Sequence, residues 1–314
     1  MKAIVVTDPS AGTAGMMLRE RPEPDAARLA GLEGANYGDV IVEVHASGFT
    51  GNELEWPSTW VDRRGLDRTP VIPGHEVAGV VTALGYGTTG VSMGQRVFGI
   101  TDWTRDGTLA EHAVVEARNL APLPGDVDFT VGAGVAMTGL TAWQGLFEHG
   151  RLQSGQSILV HGAAGAVGSM ASQLAREAGA HVIGTGRAAD RQAALDFGAH
   201  EFVDLDNDAL ADIGGVDLVF DMIGGDIGKR SAGLVRPGGT LVSVTGPPQV
   251  RPADGRTVDF VVVSDRAQLG EIARRVRDGR VRTNIGTVAA LDDAVAAFNP
   301  TARVRGKTII RVRP

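Results

Sequence analysis

A chain of 314 residues has room for roughly two domains of about 150 residues each, and 43% hydrophobic with 21% charged residues excludes a disordered or fibrous polypeptide. The formal charge of -7 argues against nucleic acid or an anionic membrane as the main partner, because phosphate binding needs a dominant basic surface. The absence of cysteine excludes disulfides, thiolate metal sites and a catalytic thiol.

The N-terminal MKAIVVTDPS is too short for a signal-peptide core. No stretch approaches the ~20 apolar residues of a membrane span, so the expectation is a soluble cytoplasmic protein with no membrane partner. Residues 1 to about 125 read as short strands, KAIVV, DVIVEVHASG, EVAGVVTALG, QRVFGI and LAEHAVVE, separated by Asp-Pro, Pro-Gly and Asp-Gly turn signals. From about residue 126 the pattern changes to strand then helix, repeated: SILVH, GAVGSMASQLAREAGA, HVIGTG, AADRQAALDFGA, EFVDL, VDLVFDM, GTLVSVTG and VDFVVV. Such alternation implies crossover connections and a parallel sheet. A helix over about 265–277 and a second over LDDAVAAF follow, and the alternating strand GKTIIRV should return to the β-rich half. The basic run ARRVRDGRVR reads as a solvated helix face ending at Gly279. The fold class is thus α/β, a β-rich part joined to a doubly wound parallel-sheet domain.

The 44 glycines are about twice ordinary usage, so backbone must approach backbone or ligand closely in several places. The sharpest cluster is Gly162, Ala163, Ala164, Gly165, Ala166, Val167 and Gly168, directly after an apolar strand and opening a helix. There, backbone N-H groups and the positive helix end face a pyrophosphate without side chains in the way. About 20 residues on, where a carboxylate would hold a ribose 2′-hydroxyl, the sequence has Gly186 and Arg187, with Arg191 four residues later. Two arginines suit a 2′-phosphate, so NADP(H) is favoured over NAD(H). Asp221 ends another buried strand, where it either lines the ligand crevice or caps the next helix, and Thr245 and Gly246 end a further one.

PGHEVAGVV (73–81), AAGAVGSMASQLA (163–175), VDLVFDMIGG, RPGGTLVSV and GKTIIRV occur in family order along nearly the whole chain, which in them resembles the medium-chain dehydrogenase/reductase superfamily, specifically its zinc-independent quinone oxidoreductase and zeta-crystallin branch. The resemblance implies a GroES-like catalytic domain over 1–125 and 285–314, a Rossmann NADP(H)-binding domain over 126–284, an active site in the cleft between them, and a homodimer. It also implies a small-molecule carbonyl substrate. Zinc-dependent members use an early cysteine and the His of Gly-His-Glu. Here Gly74-His75-Glu76 is kept while Thr50 stands at the cysteine position, so no metal is expected; His75, Glu76 and Glu53 are the only candidate ligands.

Without zinc, His75 is either a proton donor or a structural histidine. By motif position Thr50 and Asn52 are candidate catalytic donors, and Glu53, Trp56, Trp60 and Thr138 candidate substrate contacts, with Thr138 also near the nicotinamide. Trp56 and Trp60 offer a flat apolar wall or else pack as core. Phe260 joins the candidate cofactor-binding set. The implied reaction is hydride transfer from NADPH to a quinone or α,β-unsaturated carbonyl compound. A dedicated enoyl or secondary-metabolite reductase and a non-catalytic NADPH binder are the alternatives.

Overall fold

A computed structural model describes residues 1–30, 37–208 and 210–313 and divides the chain into two compact units. The first contains Met1–Met137, Ser264–Arg277 and Ile285–Pro314; the second contains Thr138–Val263 and Asp278–Asn284. No helix among the described residues is long and apolar enough to cross a membrane.

In the first unit strands run in the order Ile285–Ala290, Lys307–Arg311, Asp39–Gly48, Glu76–Leu84, Arg96–Ile100 and Leu120–Pro122, and His112–Glu116 pairs the free stretch of Asp39–Gly48. All neighbours are antiparallel except the first two. The alternation in DVIVEVHASG drives this sheet: Val40, Val42 and Val44 fall on one face and pack with Val77, Val97, Val115 and Leu120. The C-terminal strand does return to this half, with Ile309 opposite Gly48 and Ile310 opposite Ser47.

The second unit is a six-stranded, all-parallel sheet in the order Glu201–Asp204, His181–Gly186, Ser157–His161, Val216–Asp221, Val235–Ser243, Gly255–Asp259. Leu159, Val219 and Leu241 are buried in its core, and helix Ala166–Glu177 buries Met170, Ala171, Leu174 and Ala175. The strand order reverses between Ser157–His161 and Val216–Asp221, which is where such sheets open a ligand crevice. The expected strand VDFVVV is displaced: pairing covers Gly255–Asp259 and stops, because the neighbouring strand itself ends at Ser243 opposite Asp259. Val261 and Val263 therefore lie exposed beyond the ladder, and the Gln144 side-chain amide, rather than a strand, binds the backbone N-H and C=O of Val263.

Candidate active site

In the first unit the site grows from the turn into strand Glu76–Leu84. Gly74 takes a φ of +89°, where an added Cβ would meet Leu109 at 2.8 Å, so glycine is required for the chain to enter the strand here. The turn leaves the Gly74 N-H to donate to Glu53 Oε1 at 2.5 Å, and the same oxygen lies 2.9 Å from His75 Nδ1. Glu53 and His75 are buried at 0% and 1% exposure, and neither ring nitrogen of His75 makes a hydrogen bond among the described residues, so Glu53 stands near Nδ1 as a charge neighbour. Trp103 and Trp56 flank the imidazole, with ring centroids 5.0 and 6.3 Å from it, and meet each other edge to face at 5.4 Å.

Glu76 is also fully buried; it pairs with the Lys307 ammonium and accepts the Met137 N-H at 3.2 Å. Burial pushes its carboxyl above the ordinary carboxylate value, against the pull of Lys307. Gly48 makes room for this pair, since a Cβ there would sit 2.3 Å from the carboxylate. Thr50 donates through Oγ1 to Met137 Sδ at 3.3 Å, and Asn52 is exposed at the head of the short turn Glu53–Glu55.

Two readings of the sequence change here, and one residue gains a role. Glu53, expected at the substrate, turns wholly inward to Gly74 and His75. Trp60 donates through Nε1 to Leu54 O and packs with Phe49 and Leu54, so the aromatic partner of Trp56 is Trp103, forty-odd residues away. Lys307 lies in GKTIIRV, which gave it no role of its own; its pairing register is what brings it to Glu76.

In the second unit the glycine turn has the geometry a pyrophosphate needs. Gly162 has a φ of +71°, and a Cβ on Gly168 would lie 2.1 Å from Gly162 O. Helix Ala166–Glu177 begins at Gly165 without a side-chain cap, which leaves its first N-H groups for a ligand. Ala163 is buried with its N-H on Thr185 O, and Ala164 O accepts from Asn284. Past Gly186, Arg187 is exposed, whereas Arg191 donates to Phe202 O at 3.0 Å and lies 3.6 Å from Asp208.

Asp221 Oδ1 accepts the N-H groups of Ile223 and Gly224, both at 2.9 Å, so its side chain builds the turn after its strand. Thr245 stands beside that turn, since a Cβ on Gly224 would meet Thr245 Oγ1 at 2.5 Å, and Gly246 follows at a φ of +113°. Phe260 packs on His149 at 4.4 Å, and Thr138 is buried in helix Phe129–Trp143. The sequence reading passed over His161, which is buried between Thr185 Oγ1 at 2.8 Å and Ser231 Oγ at 2.6 Å, immediately before Gly162. Burial pushes its pKa down to about 4, against the field of Asp221.

Two family models match: one described as alcohol dehydrogenase GroES-like domain over residues 36–125, the other as zinc-binding dehydrogenase over 166–273. The quinone oxidoreductase of Lama guanicoe is 32% identical over 228 residues, 69% of this chain and 68% of that protein. The chain belongs to the medium-chain dehydrogenase/reductase superfamily, in its quinone oxidoreductase branch. A mycobacterial protein structure complexed with NADPH superimposes with a TM-score of 0.83 at 25% identity, covering 99% of this chain and 100% of that one. The chain is also 33% identical over 299 residues, 88% of its length, to spectinabilin polyketide synthase system protein NorB of Streptomyces orinoci, of which it spans 13%. As a member of this superfamily the protein is an oxidoreductase using a nicotinamide cofactor.

The glycine turn fits such a cofactor: its glycines are enforced by backbone contact and its helix start is uncapped. The zinc in the second family description fits poorly. Glu76 is committed to Lys307, Glu53 to Gly74 and His75, and among the described residues no group of three or more His, Cys, Asp or Glu converges on one point.

Proposed function

We propose that the protein is a zinc-independent, NADPH-dependent reductase of quinones or α,β-unsaturated carbonyl compounds. The observation that carries this is His75, buried with Nδ1 2.9 Å from Glu53 Oε1 and with its Nε2 unpartnered among the described residues, beside Trp56 and Trp103, where a metal-dependent relative would hold its ion. The bound cofactor supplies the hydride. Backbone N-H groups at Ala164, Ala166 and Val167 hold its pyrophosphate in the space that Gly162, Gly165 and Gly168 keep clear, while Ala163 and Gly165 brace the turn through their N-H groups on Thr185 O and Gly162 O. Arg187 holds the 2′-phosphate, with Arg191 in a lesser part because Phe202 O and Asp208 already engage it. Gly186, Asp221, Thr245, Gly246, Phe260 and Thr138 complete the cofactor contacts.

On the substrate, hydride adds at the β-carbon and the electron pair moves to oxygen as an enolate. Conjugation does the work that a Lewis acid does for an isolated carbonyl. Thr50 and Asn52 donate hydrogen bonds to the developing oxyanion, and His75 returns a proton from Nε2. Trp56 and Trp103 give a flat substrate ring its apolar wall. The exposed Val261 and Val263 beyond the edge strand support a homodimer joined at that edge. The similarity to a segment of a polyketide synthase protein favours, as a second reading, a reductase dedicated to one secondary-metabolite intermediate.

The test is consumption of NADPH and NADH by EDTA-treated protein against quinones, 2-enones and simple ketones. NADPH oxidation by conjugated acceptors only, undiminished by chelator, is expected. Loss of activity with EDTA would restore a metal at His75, and silence across the panel would leave a reductase dedicated to one specialised substrate or a non-catalytic nucleotide binder.

A further inference from the structure

The first unit contains a cleft of about 620 Å³ that includes none of the candidate site residues above, lined by five arginines and four carboxylates and by no lysine or histidine. The carboxylates are spent on their own surroundings. Asp39 and Glu116, both buried, share Arg105 at 2.5 and 3.1 Å. Asp62 Oδ1 accepts the backbone N-H groups of Arg64 and Leu66. Asp102 accepts the Thr104 N-H and hydroxyl on one oxygen and pairs with Arg63 through the other.

The cations are not spent to the same degree. Arg266 donates to Gly90 O, and Arg63 keeps a side chain 66% exposed with a single nitrogen on Asp102. The guanidinium groups of Arg64 and Arg118 are exposed and make no hydrogen bond or ion pair among the described residues; Arg64 feels Asp62 only through its field. Each guanidinium carries five N-H donors in a rigid fork and accepts nothing. The cleft therefore offers a surplus of arginine donors while each of its carboxylates is engaged through at least one oxygen, which is the donor set that binds a phosphate oxyanion. Tyr37, 61% exposed and braced edge to face on Tyr86 at 5.5 Å, adds an aromatic face to the same lining.

We propose that this cleft is a second anion site, which binds the phosphate of a small organic phosphate between Arg64 and Arg118. The site is coupled to the histidine by one loop. Residues 102, 104 and 105 line the cleft, while Trp103 between them packs against His75. A phosphate competing with Asp102 for Arg63 shifts the loop that carries Trp103. The coupling rests on the functional reading given above; the binding does not. The phosphate is either the tail of a substrate whose conjugated head lies at Trp103 or a separate effector.

The experiment is calorimetry of inorganic pyrophosphate with the full chain saturated in NADPH, so that the glycine turn is filled. One site is expected, weakened by added salt, with affinity at least tenfold lower in Arg64→Gln/Arg118→Gln and less reduced in Arg64→Lys/Arg118→Lys. Both arginines are exposed, so the variants should melt as the parent does. No binding, or binding unchanged in the glutamine variant, overturns the proposal. Steady-state kinetics separate the sources. A substrate tail raises KM about tenfold for a phosphorylated enone, and not for its unphosphorylated analogue, in the glutamine variant. An effector instead makes pyrophosphate shift KM for the plain enone in the parent alone. Calorimetry needs no turnover, so an inactive protein that binds at these arginines refutes the reductase reading and not this site.

Discussion

Acidification should destabilise the protein through one buried side chain, His161, and the amount follows from its partners. Ser231 Oγ donates to Ile227 O at 2.7 Å, so toward His161 it accepts, which puts the proton on Nε2 and leaves Nδ1 to accept from the Thr185 hydroxyl. The ring is thus satisfied as a neutral imidazole, and burial lowers its pKa from 6.5 to about 4. A histidine depressed in the folded state contributes stability that is full above the unfolded value and is lost as pH falls from 6.5 through 4. At about 1.36 kcal/mol per unit, the loss is roughly 2 kcal/mol by pH 5 and about 3 kcal/mol near pH 4. Other carboxylates titrate in this range, so the measurement is a difference. Urea unfolding of the parent and of His161→Gln at pH 7 and pH 5 should show the variant less stable at pH 7, with the gap narrowing by about 2 kcal/mol at pH 5. A gap independent of pH, or a His161 ring proton that titrates near 6.5 by NMR, would refute the reasoning.

Lys307→Met strands the Glu76 carboxylate in the core, so urea unfolding should register a loss of about 3 kcal/mol at pH 7 and a smaller one at pH 5, where the buried carboxyl takes up a proton. Gly168→Ala drives a methyl group against Gly162 O, and titration by cofactor fluorescence should show NADPH bound at least tenfold more weakly; unchanged affinity would separate the turn from the cofactor. Arg187→Ala should raise the KM for NADPH about tenfold and leave that for NADH alone, while Arg191→Ala does less because its guanidinium already serves Phe202 and Asp208. Equal effects on both cofactors would remove Arg187 from 2′-phosphate recognition.

What the sequence displays is what short-range rules encode. The period-two pattern of DVIVEVHASG yields the strand Asp39–Gly48 with matching bounds, and the strand, glycine turn and helix around Gly162 are one local unit. Trp103 and Lys307 were not legible because their importance is a matter of registry: each meets its partner through pairings between segments distant in sequence, and neither has a composition signal of its own. VDFVVV shows the converse limit. Its β-branched run is a good strand in isolation, yet a strand needs a neighbour, and the neighbour ends at Ser243.

The same dependence on registry decides how the histidine is supported. Glu53 and Glu76 bring two carboxylates into the buried interior, and the nearby Glu53 adds to the cost that burial sets on ionising Glu76. Gly74 N-H offsets the charge on Glu53 locally, within the turn that also fixes His75. Nothing local does so for Glu76; its counter-charge comes from Lys307, delivered when Ile309 and Ile310 pair with Gly48 and Ser47. A slip of one residue in that pairing would turn Lys307 to the other face of the sheet and leave Glu76 unpaired in the core. The C-terminal strand therefore supplies the counter-charge of Glu76 as well as closing the sheet, and Lys307→Met measures that contribution without removing the strand.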